Sequence, residues 1–370
     1  MKKNILVLGC TGSIGSQTLD IARNMSSDFA VCGVAAGKNA AAVSQLCAEF
    51  GCEGTVFERD GIDGIRRLIQ NSGADIAVNG IAGAAGLEPS AIVLECGIDL
   101  ALANKETVVM AWPVIQQLSK KSGARIVPVD SEHSALFSLL EKIGAEQARE
   151  LILTASGGPF REFSDSQLAA VTVQDALKHP TWAMGPKITV DSATLANKGL
   201  EVIEACRLFS VPAERVNVVI HPQSLIHSLV RTADGMMYAQ ISRPDMRHPI
   251  LNALTWPECR ESFLEPFDLA SCSGMTFFPP RFSSFPLLRS AFSCAEKDGS
   301  YPIAFNAANE IAVHAFLKEQ CGFLDIADIV LQTLEHDWSD VPRILAEVHE
   351  ADLAARTEAE KLLHRAGGRT

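Results

Sequence analysis

Residues 4–15 read NILVLGCTGSIG, an apolar run followed at once by three glycines spaced three positions apart. An apolar run of this length is typical of a buried strand, and Gly9, Gly12 and Gly15 would let the chain turn tightly into a helix. Such a turn also lets the backbone approach a pyrophosphate, which the N-terminus of the following helix attracts. The spacing is GxxGxxG rather than GxGxxG, so this stretch alone leaves nucleotide binding open.

Strand-like runs recur through the first 130 residues, with helix-compatible segments between them. Strands and helices that alternate at these lengths predict an α/β fold with a doubly wound, Rossmann-like parallel sheet. The predicted strands are 4–9, 29–37, 54–57, 75–80, 99–104 and 124–129, and the predicted helices are 15–24, 39–49, 61–71, 86–96 and 108–121.

The segment after the second predicted strand indicates which dinucleotide would bind. NAD sites carry an acidic residue at this place, which accepts hydrogen bonds from the ribose hydroxyls. Here residues 36–39 read AGKN, with Lys38 and Asn39 and no carboxylate. A cation suits a 2′-phosphate, so we expect NADP(H). The alternative is that Lys38 is only a solvated lysine at a helix start.

Polar residues follow two further strands, in ALANKE (101–106) and VPVDSEH (127–133). Ligands of doubly wound sheets bind outside the carboxyl ends of the strands. We therefore expect five side chains to converge near the nicotinamide of the cofactor: Asn104, Lys105, Glu106, Asp130 and Glu132.

Asp130 and Glu132 are separated by a single residue, Ser131. If extended geometry continues through them, both side chains leave the same face of the sheet, and a cation between them would relieve their repulsion. The alternative is a solvated strand-to-helix turn with Ser131 or Glu132 at the helix start.

The middle of the chain combines donors for an anion with further carboxylates. Residues 151–162 (LILTASGGPFRE) read as a strand that ends in a turn, and residues 179–205 begin with a loop rich in proline and glycine. The hydroxyl, amide and ammonium groups of Ser192, Asn197 and Lys198 are the donors that a phosphate needs. Glu201 and Glu204 share one helical face, and carboxylates without cysteine favour Mg²⁺ or Mn²⁺.

Histidines occur close to these motifs. His133, His221 and His227 are interpreted as hydrogen-bonded core or turn residues. His179 differs from them because it opens the loop.

The composition limits the possible functions. A chain of 370 residues predicts two or three domains, and a formal net charge of −12 argues against sequence-independent binding of nucleic acid. No apolar run is long enough for a membrane span, and the first residues lack the long apolar region of a signal peptide. Ten cysteines without a CxxC pair are typical of reduced thiols, so we expect a cytoplasmic protein.

Taken in order, nine motifs resemble one family, the 1-deoxy-D-xylulose 5-phosphate reductoisomerases. The motifs span about 300 residues. They are TGSIG (11–15), AGKN (36–39), LANKE (102–106), VDSEH (129–133), ASGGPFR (155–161), HPTWAMGPKITVDSATLANKGLE (179–201), HPQSLIHS (221–228), PDMRHPI (244–250) and NAANE (306–310).

The resemblance implies a role for each matching residue. Those that match NADPH contacts are Thr11, Gly12, Ser13, Ile14, Gly37, Lys38, Asn39, Asn104, Glu106 and Gly185. Those that match the metal ligands are Asp130, Glu132 and Glu201. Residues that hold the substrate, largely through its phosphate, are matched by Ser156, His179, Ser192, Asn197 and Lys198. Lys105, Ser131 and Glu132 match residues near the hydroxyl and carbonyl end of the substrate. Trp182 and Met184 match the lid that covers the substrate.

The resemblance also implies an activity. A phosphorylated sugar, 1-deoxy-D-xylulose 5-phosphate, would be rearranged and then reduced by NADPH to 2-C-methyl-D-erythritol 4-phosphate, an isoprenoid precursor. The reaction would need Mg²⁺ or Mn²⁺, with Co²⁺ as a further candidate, and Lys105, Asp130, Glu132 and Glu201 would form the catalytic set. Two alternatives remain open: a simpler metal-dependent NADP dehydrogenase or oxidative decarboxylase, and a non-enzymatic NADP sensor.

We expect four segments along the chain. These are an NADPH-binding domain (1–130), a central α+β catalytic domain (131–262) through which the resemblance implies a homodimer, a connection (263–286) and a C-terminal helical bundle (287–370). Helical spacing predicts the bundle helices at 287–298, 302–319, 325–335 and 342–365. Asn306, Asn309 and Glu310 are interpreted as packing or capping residues, and the alternative is that they face the active site.

Overall fold

The computed structural model describes residues 2–182 and 184–367. The chain forms two compact units. The first unit comprises the chain up to Thr107, then Trp112–Ser134 and Asp245–Phe267. The second unit comprises Val108–Ala111, Ala135–Pro244 and the chain from Asp268 onward.

Within the described residues, the first unit contains a six-stranded sheet of order β3-β2-β1-β4-β5-β6, in which all neighbours are parallel. Residues 5–8 of the central strand are fully buried, as expected for a parallel sheet covered by helices on both faces. The predicted Rossmann-like sheet is confirmed. The strands are β1 (Lys3–Leu8), β2 (Phe29–Ala36), β3 (Glu53–Val56), β4 (Ile76–Asn79), β5 (Asp99–Leu102) and β6 (Ile126–Pro128).

Five helices connect or follow these strands, close to the predicted positions. They are α1 (Ser13–Asn24), α2 (Ala40–Phe50), α3 (Phe57–Asn71), α4 (Leu87–Glu95) and α5 (Lys105–Ser122), and α6 (Ser131–Ile143) then leads into the second unit. Helix α3 starts before the predicted residue 61, but Gly61 has a φ of +59° and divides it at that point.

A late segment returns to the first unit. Helix α11 (Arg247–Thr255) packs against α1, where the guanidinium of Arg247 lies 2.9 Å from the carboxylate of Asp20. The Nζ of Lys3 donates a hydrogen bond to the carbonyl of Leu254 (2.8 Å). Residues 245–267 were assigned by sequence mainly to the central domain, and that four-part division stays a prediction.

The second unit is built on a mixed sheet of order β10-β9-β7-β8 in the part of the chain that the structure describes. Strands β7 and β8 are parallel, and the other two pairs are antiparallel. The predicted strand at 151 begins three residues earlier than expected. The strands are β7 (Ala148–Ala155), β8 (Val216–Ile220), β9 (Ile226–Thr232) and β10 (Met237–Ile241).

Helices cover this sheet and form the C-terminal part of the unit. The predicted C-terminal helices are confirmed with end shifts of a few residues, and their apolar faces share one core with α10. The helices are α7 (Asp165–Leu168), α8 (Val173–Ala176), α9 (Pro186–Ala193), α10 (Ala196–Leu208), α12 (Pro286–Lys297), α13 (Tyr301–Leu317), α14 (Phe323–Thr333) and α15 (Leu345–Gly367). None of the helices over residues 2–182 and 184–367 has the length and apolar character needed to cross a membrane.

Candidate active site

The glycine turn after β1 has the geometry of a pyrophosphate-binding turn. Gly9 has a φ of +82°, and a Cβ atom there would lie 2.9 Å from the carbonyl carbon of Gly80. A Cβ at Gly15 would lie 2.3 Å from the carbonyl oxygen of Gly9. Larger residues would therefore open the turn. Thr11, Gly12 and Ser13 are exposed at the start of α1 and Ile14 is half-buried beside them, so this backbone is accessible to an anion.

The segment after β2 is open to solvent. Gly37, Lys38 and Asn39 are all exposed. The Oδ1 of Asn39 accepts a hydrogen bond from the backbone N–H of Ala42 (3.0 Å) and so caps α2. Asn39 thus has a structural role in addition to the predicted cofactor contact, and the contact of Lys38 with a 2′-phosphate stays a prediction.

Asn104 shapes the wall of the predicted cofactor site. Its Oδ1 accepts from the backbone N–H of Thr107 (3.0 Å), which caps α5. Its Nδ2 donates to the carbonyls of Ile81 (2.8 Å) and Gly83 (2.9 Å) and to the Glu106 carboxylate (2.8 Å). The side chain is almost completely buried. Asn104 therefore fixes the loop after β4 and the start of α5, and its direct contact with the cofactor stays a prediction.

Lys105 and Asp130 form an ion pair at the carboxyl edge of the sheet. The Lys105 Nζ lies 2.6 Å from the Asp130 Oδ2, and both side chains are largely buried. Next along the chain, the hydroxyl of Ser131 donates to the Glu132 carboxylate (2.5 Å). The two carboxylates are thus each held by a neighbouring group.

The expectation that extended geometry continues through Asp130 is wrong. Strand β6 ends at Pro128, and α6 begins at Ser131, so Asp130 precedes a helix and Glu132 lies in its first turn. The strand-to-helix turn that the sequence had left open as an alternative is therefore observed, but it is not solvated, because the Asp130 side chain is largely buried. Ser131 and Glu132 offer alternative bonds and a favourable charge at a helix start, and these features end the strand.

In the second unit, a turn of two left-handed glycines brings Ser156 to α9. Gly157 and Gly158 have φ values of +83° and +66°. A Cβ at Gly158 would lie 2.7 Å from the carbonyl oxygen of Ser192, so only glycine permits this approach. The hydroxyls of Ser156 and Ser192 consequently converge.

His179 lies between these two hydroxyls. Its Nε2 is 3.0 Å from the Ser156 Oγ and 3.1 Å from the Ser192 Oγ. Its Nδ1 accepts hydrogen bonds from the backbone N–H groups of Thr181 (3.1 Å) and Trp182 (2.9 Å). A nitrogen that accepts two hydrogen bonds carries no proton, so in the neutral ring the proton sits on Nε2. Burial lowers the pKa of His179, which favours this neutral form.

Glu201 is held by two other predicted site residues. Asn197 and Lys198 each donate to one oxygen of its carboxylate, and Lys198 and Glu201 are almost completely buried. The three lie within the first two turns of α10, which starts after Leu195 in a left-handed conformation (φ 60°). The structure thus brings these three residues of α10 together, and their roles toward phosphate and metal stay predictions. Whether Glu201 shares an ion with Asp130 and Glu132, which belong to the first unit, stays a prediction.

The predicted lid, which is the loop from His179 to about Gly185, has partners in the second unit. The hydroxyl of Thr181 donates to the carbonyl of Pro222 (3.4 Å), and the ring of Trp182 lies 6.3 Å from the ring of His227. Trp182 and Met184 are half-buried and Gly185 is exposed; Ala183, also within the predicted lid, lies outside the described residues.

The histidine interpretation agrees with the structure. His221 is fully buried, its Nδ1 donates to the carbonyl of Thr276 (2.9 Å), and its Nε2 accepts from the backbone N–H of Leu225 (3.1 Å). His133 and His227 are also buried.

Sequence reasoning missed Asp191. This residue is buried on α9 beside Ser192, where Lys187 and Asn309 bind its carboxylate. The spacing of Lys187 and Asp191, four positions apart on a helix, was the available signal.

A parallel sheet with a glycine-rich phosphate turn, joined to a second unit that carries hydroxyl, imidazole and ammonium groups, defines a nucleotide-binding α/β enzyme. Comparison with known proteins identifies the family. Three family models match the chain: 1-deoxy-D-xylulose 5-phosphate reductoisomerase at residues 5–61 and 55–112, its C-terminal domain at 126–209, and the DXP reductoisomerase C-terminal domain at 241–358.

Curated relatives and solved structures agree with this. The 1-deoxy-D-xylulose 5-phosphate reductoisomerase of Treponema denticola is 46% identical and covers 99% of both chains. The reductoisomerase of Treponema pallidum is 48% identical, and the match covers 96% of both chains. The Zymomonas mobilis enzyme in complex with NADPH has a TM-score of 0.88 at 37% identity, covering 98% of this chain and 99% of its own. A reductoisomerase in complex with NADPH, fosmidomycin and magnesium has a TM-score of 0.86 at 34% identity, with 98% of each chain covered. The chain belongs to the 1-deoxy-D-xylulose 5-phosphate reductoisomerase family, and the resemblance seen in the sequence is confirmed.

Proposed function

We propose that this chain catalyses the rearrangement and NADPH-dependent reduction of 1-deoxy-D-xylulose 5-phosphate to 2-C-methyl-D-erythritol 4-phosphate. The observation that carries the proposal is the 46% identity to a reductoisomerase over 99% of both chains. The cluster of His179 with Ser156 and Ser192 supports it independently, because it forms a compact set of donors for a phosphate.

NADPH fits the first unit. The close approach of Gly15 to Gly9 leaves no room for side chains where a pyrophosphate would bind, and the exposed Lys38 supplies a cation for the 2′-phosphate. The dinucleotide supplies the hydride for the reduction step. Asn104 keeps the loop after β4 and the start of α5 in position, so Glu106 is held beside the predicted nicotinamide site.

A divalent cation fits the donor chemistry of Asp130, Glu132 and Glu201, which we propose as its three ligands. Carboxylate oxygens suit Mg²⁺, Mn²⁺ or Co²⁺, and a relative contains magnesium. A cation bound there would polarise the substrate carbonyl and lower the pKa of its hydroxyl. The carboxylates of Asp130 and Glu201 are already charge-balanced by Lys105 and Lys198, as expected for anions held ready at a largely buried position.

The second unit would hold the phosphate. The neutral ring of His179 directs its Nε2 proton toward the space beside the hydroxyls of Ser156 and Ser192. Asn197 and Lys198 add amide and ammonium donors. Binding energy from this remote group would keep the substrate in place while its carbon skeleton is cleaved and re-formed by retro-aldol and aldol steps.

Lys105 is the side chain best placed to hold a proton near the reacting carbons. Its Nζ is fixed by Asp130, and Glu132 offers a carboxylate hydrogen-bonded by Ser131. Trp182 and Met184 would cover the substrate and exclude water, because a half-buried indole and thioether add apolar surface over the site.

We also propose that the enzyme works as a cytoplasmic homodimer. All ten cysteines lie among the described residues and are free thiols, as is usual in a cytosol. Strand β10 is at the sheet edge, and Met236, Met237, Tyr238 and Ile241 on it or beside it are 40–59% exposed. Apolar edge strands favour pairing. Sedimentation should find a dimer that Tyr238→Asp weakens and the control Leu353→Asp leaves intact; a monomeric parent protein would exclude this interface.

One assay separates the proposed function from its alternatives. The purified chain is mixed with deoxyxylulose phosphate, NADPH and Mn²⁺ or Mg²⁺, and the nicotinamide absorbance is followed. The reductoisomerase consumes NADPH only when substrate and metal are both present. A simple dehydrogenase would act on other hydroxy acids instead, and an NADP sensor would bind NADPH without consuming it.

A further inference from the structure

A series of buried and half-buried charges of alternating sign lies on three helices of the second unit. On α15, the Nε of Arg356 lies 2.7 Å from Asp352, and its Nη2 lies 2.5 Å from Glu310 on α13. On α9, the Nζ of Lys187 lies 2.9 Å from Asp191. Burial alone would raise the pKa of Glu310, but the cations of Lys187 and Arg356 lower it below its ordinary value. Glu310 is adjacent to Asn309 on α13, so its ion pair with Arg356 connects α15 to the helix that carries Asn309.

Asn309 binds Asp191, the last of these charged residues. Its Nδ2 donates to the Asp191 Oδ1 (2.8 Å), while Lys187 binds the other oxygen of the same carboxylate. Asn309 is fully buried and Asp191 is 1% exposed. One oxygen of this desolvated carboxylate is thus held by Asn309 of α13, and the other is held by Lys187 within α9 itself. The bond from Asn309 ties α9 to α13 and resists rotation and sliding of α9.

The position of α9 determines where the Ser192 hydroxyl lies. Ser192 follows Asp191 directly, and its Oγ is 3.1 Å from the Nε2 of His179. On the other side, the Ser192 carbonyl lies close to Gly158. A small movement of α9 would therefore disturb the contact of Ser192 with His179, which is already near the long end of the roughly 2.7–3.2 Å range of N–H···O hydrogen bonds.

We propose that Asp191 and Asn309 are positioning residues for the phosphate-binding cluster, held in turn by Lys187, Glu310 and Arg356. The inference deepens the proposed function, since it takes the ligand of His179 and Ser192 to be the substrate phosphate. Neither Asp191 nor Asn309 is assigned a contact with substrate, cofactor or metal. The C-terminal helix α15 thereby gains a role in substrate affinity beyond packing.

The test uses a donor–acceptor exchange. In Asn309→Asp the donor becomes a carboxylate that repels Asp191, and in the double variant Asp191→Asn/Asn309→Asp the hydrogen bond is restored in the opposite direction. Lys187→Met removes the second partner of the Asp191 carboxylate and serves if Asn309→Asp fails to fold. The control is Thr333→Val, a buried polar residue of the neighbouring α14 whose hydroxyl bonds only the carbonyl of Ile329 within its own helix.

Three readouts are taken on the full-length protein: KM and kcat for deoxyxylulose phosphate, the Kd of NADPH, and the ring ¹⁵N signals of His179. We expect Asn309→Asp to raise KM by roughly tenfold, the scale of one lost charge-assisted hydrogen bond. The His179 signals should shift, the Kd of NADPH should stay constant, and the double variant should recover most of the KM. Lys187→Met should act in the same direction as Asn309→Asp, and Thr333→Val should change none of the three.

Two results would overturn the proposal: His179 signals and a KM that are unchanged in Asn309→Asp, or a double variant that is as impaired as the single one. An equal loss of NADPH affinity in Asn309→Asp would also count against it, because a purely structural defect has that effect. If the parent protein does not turn over deoxyxylulose phosphate, the proposed function fails, and the His179 signals still decide whether Asn309 positions Ser192.

Discussion

The Nε2 of His179 lies 3.1 Å from the Oγ of Ser192, which joins the first residue of the predicted lid to the helix that follows the lid. The Nδ1 of the same ring accepts a hydrogen bond from the backbone N–H of Trp182. Binding of a phosphate at Nε2 and the conformation of the lid backbone are therefore linked through one imidazole.

This link predicts how the lid responds to ligand. Proteolytic cleavage between residues 179 and 190 should slow markedly when fosmidomycin and Mg²⁺ are added, because closure orders the loop. Trp182→Ala should lower kcat/KM by roughly tenfold or more through lost apolar cover, and leave the Kd of NADPH unchanged. Equal cleavage with and without fosmidomycin, or a fully active Trp182→Ala variant, would show that the segment is not a lid.

Lys38 should determine the preference for NADPH over NADH. Lys38→Ala should weaken NADPH by roughly tenfold to a hundredfold, the scale of a charge-assisted hydrogen bond, and NADH hardly at all. Fluorescence titration of both cofactors measures this. Lys2→Ala, which removes another exposed lysine of the first unit, is the control. Equal losses of affinity for NADPH and NADH in Lys38→Ala would contradict the contact of Lys38 with the 2′-phosphate.

The proposed metal ligands should be distinguishable by metal affinity. Asp130→Asn and Glu201→Gln should each reduce activity by at least about a hundredfold and weaken Mn²⁺ binding, read by electron paramagnetic resonance. Glu296→Gln is the matched control because Glu296 is exposed on α12. Glu204, which shares a helical face with Glu201, is unsuitable as a control because it is 1% exposed. If a variant keeps normal turnover and unchanged Mn²⁺ affinity, the residue that was replaced is not a metal ligand.

His221 should make the fold sensitive to acid. Burial lowers its pKa below the ordinary value of 6.5, although the bond to the Thr276 carbonyl acts in the opposite direction. A lowered pKa means that the unfolded state takes up the proton first. The free energy of unfolding should thus be unaffected by this group above pH 6.5 and should fall as the pH decreases toward the folded-state pKa.

Urea unfolding at a series of pH values checks this prediction. His221→Gln should flatten the dependence below pH 6.5, whereas His349→Gln, at an exposed position of α15, should leave it unchanged. Parallel curves for His221→Gln and the parent protein would contradict the assignment. His179 and His248, whose pKa values are also lowered by burial, should keep part of the dependence in every variant.

Much of the fold was predictable because its signals are local. Apolar runs such as residues 4–9 and the glycines that follow them determine strands and a turn without reference to distant residues. The end of the strand before Asp130 also has a local cause, because Ser131 and Glu132 favour a helix start. The β-branched residues before Asp130 favour a longer strand, so the two local preferences conflict. Only the structure could decide between them.

Other parts of the site depend on long-range contacts. Asn309 meets Asp191 across 118 positions, and α11 returns to pack on α1 after more than 200 residues. The proton position on His179 follows from two serines and a backbone turn that no spacing reveals. Sequence reasoning could name these residue types as candidates, but the partners arise from tertiary packing.

The most direct measurement of the central claim is the carbon connectivity of the product. Deoxyxylulose phosphate labelled with ¹³C at C3 and C4 is converted with NADPH and Mg²⁺, and the product is read by ¹³C NMR. A reductoisomerase breaks the bond between these carbons, so the one-bond coupling between the two labels should disappear in a branched product. Retention of that coupling in a reduced, unbranched product would contradict the account and identify a simple dehydrogenase.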